Sequence, residues 1–113
     1  MKTLNRAAII VRPKEPYIKW AASKEEDDCS LAEGLRNRTA VYLVPEDPSG
    51  REETPPLKDY FEEIFEYELE AWDTDEAGWP APRTLEMFLE WFDVVGKSIV
   101  VDLGEGPIWV EDF

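Results

Sequence analysis

The chain has 113 residues, of which 26 are acidic and 12 basic, so its formal net charge is −14 in the absence of any histidine. That length suits a single domain, 1–113, whose core needs no disulfide or metal staple. A hydrophobic fraction of 43% with 5 Trp, 5 Phe and 4 Tyr argues against disorder, while the charge argues against direct nucleic-acid binding and against an anionic membrane surface, both of which recruit Lys and Arg.

Met1 to Arg6 precedes an apolar stretch, Ala7 to Val11, too short for a signal-peptide core or a bilayer span, so the chain is expected to be cytoplasmic. Ala7 to Arg12 reads as a buried strand ended by Pro13. Pro16 suits the first turn of a short amphipathic helix carrying Tyr17, Ile18, Trp20 and Ala21. Lys24 to Asp28 is a charged loop, and Ser30-Leu31-Ala32-Glu33 has capping-box spacing cut short by Gly34. Thr39 to Val44, β-branched and aromatic, is the clearest strand and stops at Pro45. Residues 45–56, with four prolines and a glycine, form a loop.

Leu57 to about Asp73 is the strongest helix. Leu57, Phe61, Ile64, Phe65, Ala71 and Trp72 share one face, with Tyr60, Tyr67 and Leu69 at its margins. Thr74 to Arg83 is a loop; Thr84 is an N-cap for a helix through Phe92, with Leu85, Phe88, Leu89 and Phe92 inward. Ser98 to Leu103 reads as a strand, and Gly104 to Pro107 turns the chain into a last short strand, Ile108 to Glu111. The order β-α-β-α-α-β-β predicts an α+β domain, a three- or four-stranded sheet with two main helices packed on it.

Charge is confined to one half. Residues 1–56 hold nine basic and ten acidic side chains, whereas 57–113 hold three basic and sixteen acidic. Asp59, Glu62, Glu63, Glu66, Glu70 and Asp73 fall on one arc of the long helix, opposite its apolar face. The like-charged pairs within that arc at i,i+4 each cost about 0.2–0.5 kcal/mol, with no lysine between them to compensate. Two readings fit: a solvated face that confers solubility, or a surface that attracts a basic protein partner, phosphate-mimicking or inhibitory in kind. Glu68 departs from the arc and projects into the apolar face, so it is expected either to pair with a cation such as Arg12, Lys19 or Arg83 or to sit at an edge, the other reading being a functional acid or a ligand contact.

The chemistry-bearing patterns are sparse. Asp73 to Gly78 opens like a calcium loop, but Ala77 stands at position 5 and Thr84 where the closing bidentate glutamate is required, so an EF-hand is rejected. Without histidine, the commonest general base and the Ser-His and Cys-His nucleophile systems are missing. The single cysteine, Cys29, follows four acids that disfavour its thiolate. No Ser-x-x-Lys pattern, phosphate loop or dinucleotide fingerprint occurs. No catalytic residue, cofactor site or metal site is therefore assigned, and an enzyme is not expected. Trp79-Pro80-Ala81-Pro82-Arg83 is either a rigid recognition loop, with Trp79 and Arg83 as contacts, or a cover over the core.

The segment Trp79-Pro80-Ala81-Pro82-Arg83-Thr84-Leu85-Glu86-Met87-Phe88-Leu89-Glu90-Trp91-Phe92 resembles a family of small bacterial proteins of uncharacterised function, with a W-P-x-x-R-T-x-E-M-F-x-x-W-F-like motif. Phe65 to Trp72 and Ser98 to Leu103 are similar too, so the resemblance spans about residues 40–103. It implies a bacterial origin and transfers no catalytic residue. The reading that leads is a non-enzymatic acidic module that docks a basic protein. The alternative is a small carboxylate enzyme or divalent-metal protein using Glu68, Asp73, Asp75 and Glu76. Self-association through Trp79, Trp91 and Trp109 is a third.

Overall fold

The computed structural model describes residues 2–24, 33–46 and 56–111. Two short strands, β1 (Lys2–Thr3) and β5 (Val101–Asp102), pair with each other. The main sheet is antiparallel, with β2 (Arg6–Pro13) between β3 (Ala40–Pro45) and β4 (Phe92–Lys97). Among the described residues three helices, α1 (Glu15–Ala22), α2 (Phe61–Glu70) and α3 (Leu85–Trp91), accompany it, with a further helical turn at 33–36. The α+β class and the helix-on-sheet arrangement expected from the sequence are both present.

Register decides which side of each strand is buried. Ile9 lies opposite Tyr42 on β3 and Gly96 on β4, and Val11 lies opposite Ala40 and Val94. With Ala7 and Val44, these residues form the face that meets the helices, because side chains two apart share a face. Tyr17, Phe65, Phe88 and Phe92 are fully buried against it. Their rings meet edge-on or tilted, with centroids 4.8 Å apart for Tyr17 and Phe92 and 5.4 Å for Phe65 and Phe88. The opposite face carries Ala8, Ile10, Val41, Leu43 and Val95, and Val41, Leu43 and Val95 are exposed among the described residues.

Several expected boundaries shift. The long helix begins as a 3-10 turn, Leu57–Asp59, and α2 ends at Glu70, so Ala71 is exposed instead of facing the core. Thr84 caps α3 as expected, its hydroxyl accepting from the Met87 N–H at 3.1 Å. Phe92 is buried, but as the first residue of β4, while Leu89 turns outward. β4 itself is the strand the sequence reading omits. The stretch expected at Ser98 to Leu103 contributes only Val101–Asp102, which pairs with β1 outside the main sheet. Ile108 to Glu111 joins no strand among the described residues. The segment from Glu25 to Ala32, including the start of the capping box and Cys29, and most of the proline-rich loop lie outside the described residues.

Candidate functional site

The third turn of α2 places Glu68 against the sheet. Its residue is 3% exposed, yet its neighbours on the helix face are Phe61, Ile64, Phe65 and Leu69. Burying a carboxylate there requires partners, and the fold gathers three polar groups around this residue. Tyr42 on β3 donates its hydroxyl to Oε1. Tyr17 on α1 donates to the Glu68 backbone carbonyl at 2.8 Å and lies 3.4 Å from Oε2. Arg38, just ahead of β3, brings a guanidinium nitrogen to 3.4 Å from Oε2. The cation is thus Arg38 and none of the three expected from the sequence. Arg12 is exposed on the open side of the sheet, Lys19 is exposed on α1, and Arg83 pairs with Glu76 at 3.2 Å.

Burial pushes both hydroxyls well above the ordinary tyrosine value of 10.0, with the adjacent Glu68 carboxylate adding to the effect. An ionised tyrosine there would lose its hydration and face a second negative charge. The Trp72 indole N–H, just past the end of α2, is buried without a hydrogen-bond partner among the described residues. The arrangement is a closed polar cluster that ties α1, α2 and β3 together.

Of the six acids expected on the helix arc, Asp59, Glu62, Glu63, Glu66 and Glu70 are exposed, and no ion pair among the described residues involves them. Asp73 behaves differently. Its Oδ1 accepts from the Asp75 N–H at 2.9 Å and its Oδ2 lies 3.2 Å from the Lys24 ammonium. Those two interactions hold its carboxyl below the usual aspartate range, the backbone bond contributing first. Asp75 in turn caps the 3-10 turn Glu76–Gly78 by accepting from the Ala77 N–H at 3.0 Å. The calcium-like spacing therefore serves loop capping, a role short Asp side chains fill in turns. Among the described residues no three acids converge as a metal cluster.

Trp79 and Arg83 are both half-buried. The Trp79 indole donates to the Asp73 carbonyl at 2.7 Å, and the Arg83 guanidinium lies over its ring at 5.4 Å. Trp91 belongs to the aromatic core, 5.7 Å from Phe65, while Trp109 is 89% exposed. The three tryptophans considered for self-association thus have three different environments.

One feature absent from the sequence reading is a groove of about 740 Å³ between β3 and α2, lined on the strand side from Ala40 to Val44 and on the helix side by Tyr60, Glu63, Ile64 and Tyr67. Arg38 and Glu111 lie at its margin. Its only sequence signal is an uncharged strand, Ala40–Pro45, followed by tyrosines on the margins of the acidic helix. No helix among the described residues is long and apolar enough to cross a membrane. No family model, no curated protein and no solved structure matches this chain.

Proposed function

We propose that this chain is a non-enzymatic acidic interaction module that docks a basic protein surface through Asp59, Glu62, Glu63, Glu66 and Glu70. The observation that supports it is the placement of uncompensated charge on α2. Glu62 and Glu63 occupy the first turn, where the helix dipole favours anions, but Glu70 occupies the last, which holds no basic residue. Glu66 has like charges four residues away on both sides, each such pair costing about 0.2–0.5 kcal/mol. A face selected for solubility alone is served equally well by mixed signs, whereas a one-signed face steers a basic partner and suppresses acidic ones. Asp73 is left out of the docking set because Lys24 already occupies its carboxylate.

The test is capture from a bacterial lysate at low and at high salt. The wild type is compared with a variant carrying Asp59→Asn, Glu62→Gln, Glu66→Gln and Glu70→Gln. The expected result is a basic protein held by the wild type at low salt and released by high salt or by the four substitutions. Identical captures by the two proteins would reduce the face to solvation.

A further inference from the structure

Among the described residues, the outer edge of β3, with α2 beside it, has the form of a strand-accepting groove. We infer that an extended basic segment of the partner, alternating Lys or Arg with apolar residues, docks there by pairing main chain to main chain with β3. The inference rests on the basic-partner reading above and specifies how that partner is held.

Three observations lead to it. First, β3 is bonded on one side only: among the described residues the sheet order is β3-β2-β4, so half of the outer strand's backbone groups face outward. Proteins usually guard such an edge with charges or distortion. The opposite edge follows that rule, since β4 carries Asp93, Gly96 and Lys97, and Lys14 lies 3.6 Å from Asp93. β3 does not follow it: Ala40 to Val44 is uncharged, and the proline comes only at the end.

Second, the edge opens into a shaped space. The groove of about 740 Å³ has Ile64, Tyr60 and Tyr67 on its helix wall. Tyr67 is 52% exposed and stands edge-on to Tyr42 with centroids 5.9 Å apart. Val41 and Leu43, at 59% and 51% exposure, continue the apolar surface onto the open face of the sheet. An added strand sends alternate side chains to the two faces, so one set meets Ile64 and Tyr67 while the other lies beside Val41 and Leu43.

Third, charge selects the occupant. Glu63 and Glu111 line the groove, with Glu62 and Glu66 exposed on the same helix. Arg38 is the one cation among the described lining residues, and Glu68 occupies it at 3.4 Å. A second copy of this chain would bring another −14 to the same edge, which disfavours self-pairing.

The probe is a fluorescent, end-capped peptide of alternating Lys and Val, titrated by anisotropy into the full chain. Its comparators are the Glu-Val peptide and the Lys-Val peptide methylated at every backbone amide. Binding of the Lys-Val peptide is expected to weaken with salt, to be lost with Glu-Val, and to fall roughly tenfold or more on methylation, because two or three main-chain bonds disappear. Glu63→Lys and Tyr67→Ser, both surface changes, are expected to weaken it, and amide exchange is expected to slow at Val41 to Val44. Equal binding of the methylated peptide, or slowed exchange confined to α2, would overturn strand addition while leaving salt-dependent docking intact. No binding of any peptide would overturn it as well. Sedimentation showing a tight dimer, with β3 amides exposed on dilution, would overturn it in favour of a second copy.

Discussion

Two substitutions of the same kind on α2, Glu68→Gln and Glu66→Gln, are expected to move stability in opposite directions. At Glu68 the residue is 3% exposed, and its carboxylate accepts from Tyr42 and pairs with Arg38 at 3.4 Å. Glutamine retains one acceptor oxygen for Tyr42, but that bond becomes neutral to neutral and loses about half its strength. Its amide nitrogen then faces Arg38, so a donor replaces an acceptor and a buried N–H lacks a partner, at about 1–3 kcal/mol. The arginine is 36% exposed and regains some hydration, which offsets part of the loss. The net expectation is a destabilisation of about 2 kcal/mol. Glu66 is exposed between Glu62 and Glu70, so neutralising it removes two like-charge pairs and stabilises by about 0.4–1 kcal/mol. In urea denaturation the midpoint falls for Glu68→Gln and rises slightly for Glu66→Gln, with unchanged slope. In a thermal scan the same values correspond to a fall of about 8 °C against a rise of about 2–4 °C. Equal midpoint shifts, or a stabilised Glu68→Gln, would refute the view that the ionised cluster holds the helix to the sheet.

Alkaline pH probes the same cluster from the tyrosine side. Tyr17 and Tyr42 have folded-state values raised above 10.0, so the unfolded chain releases their two protons first and stability is lost as pH rises above about 10. Urea unfolding at stepped pH is expected to approach a loss of about 2.7 kcal/mol per pH unit from these two groups, halved by Tyr17→Phe. An unaltered slope in Tyr17→Phe would contradict the assignment. Gly78→Ala tests the Asp73 loop: a Cβ there would overlap the Asp73 carboxylate and approach Lys24 to 3.2 Å. It is expected to destabilise by about 1–3 kcal/mol, whereas Gly34→Ala, in a helical turn with nothing within 4 Å, is neutral or stabilising. Similar urea midpoints for the two alanine variants would show that the loop yields without cost.

How much was legible in the sequence varied with how local the signal was. β2 and β3 stand out because their apolar runs are stopped by Pro13 and Pro45, and α3 because Thr84 caps it. β4 was hidden because helix passes into strand at Phe92 with no turn residues between them, and Asp93 and Gly96 have low strand propensity. The helix expected through Phe92 therefore absorbed the residue that begins the third strand. The helix expected from Leu57 to Asp73 overruns α2 because its helical period continues through Ala71 and Trp72, whereas the chain there turns to bring Asp73 onto Lys24 and Trp79. Glu68 was legible as a misplaced acid, but Arg38 was not legible as its partner, since that pairing depends on sheet register. A parity argument comes nearest: Arg38 lies two residues before Ala40, on the alternation that continues through Tyr42 and Val44 to the helix-facing side.

The same parity connects the buried cluster to the groove beside it. The two walls of the groove are β3 and α2, and the polar links across them are Tyr42 to Glu68 and Arg38 to Glu68. Glu68 faces away from the groove's acidic rim but sets the separation of its walls, because both links end on one carboxylate. It also pairs with Arg38, the one basic residue among the described lining residues, leaving Glu63 and Glu111 as the unpaired charges described there. An apolar residue at position 68 would pack against Ile64 and Phe65 at lower desolvation cost. It would also leave Arg38 unpaired beside the groove, placing a cation where the proposed basic segment would dock. On the proposed docking, a buried glutamate costs stability relative to a hydrophobic core but keeps Arg38 paired and away from the incoming basic segment, a reason for an acid at that position that stability alone does not supply.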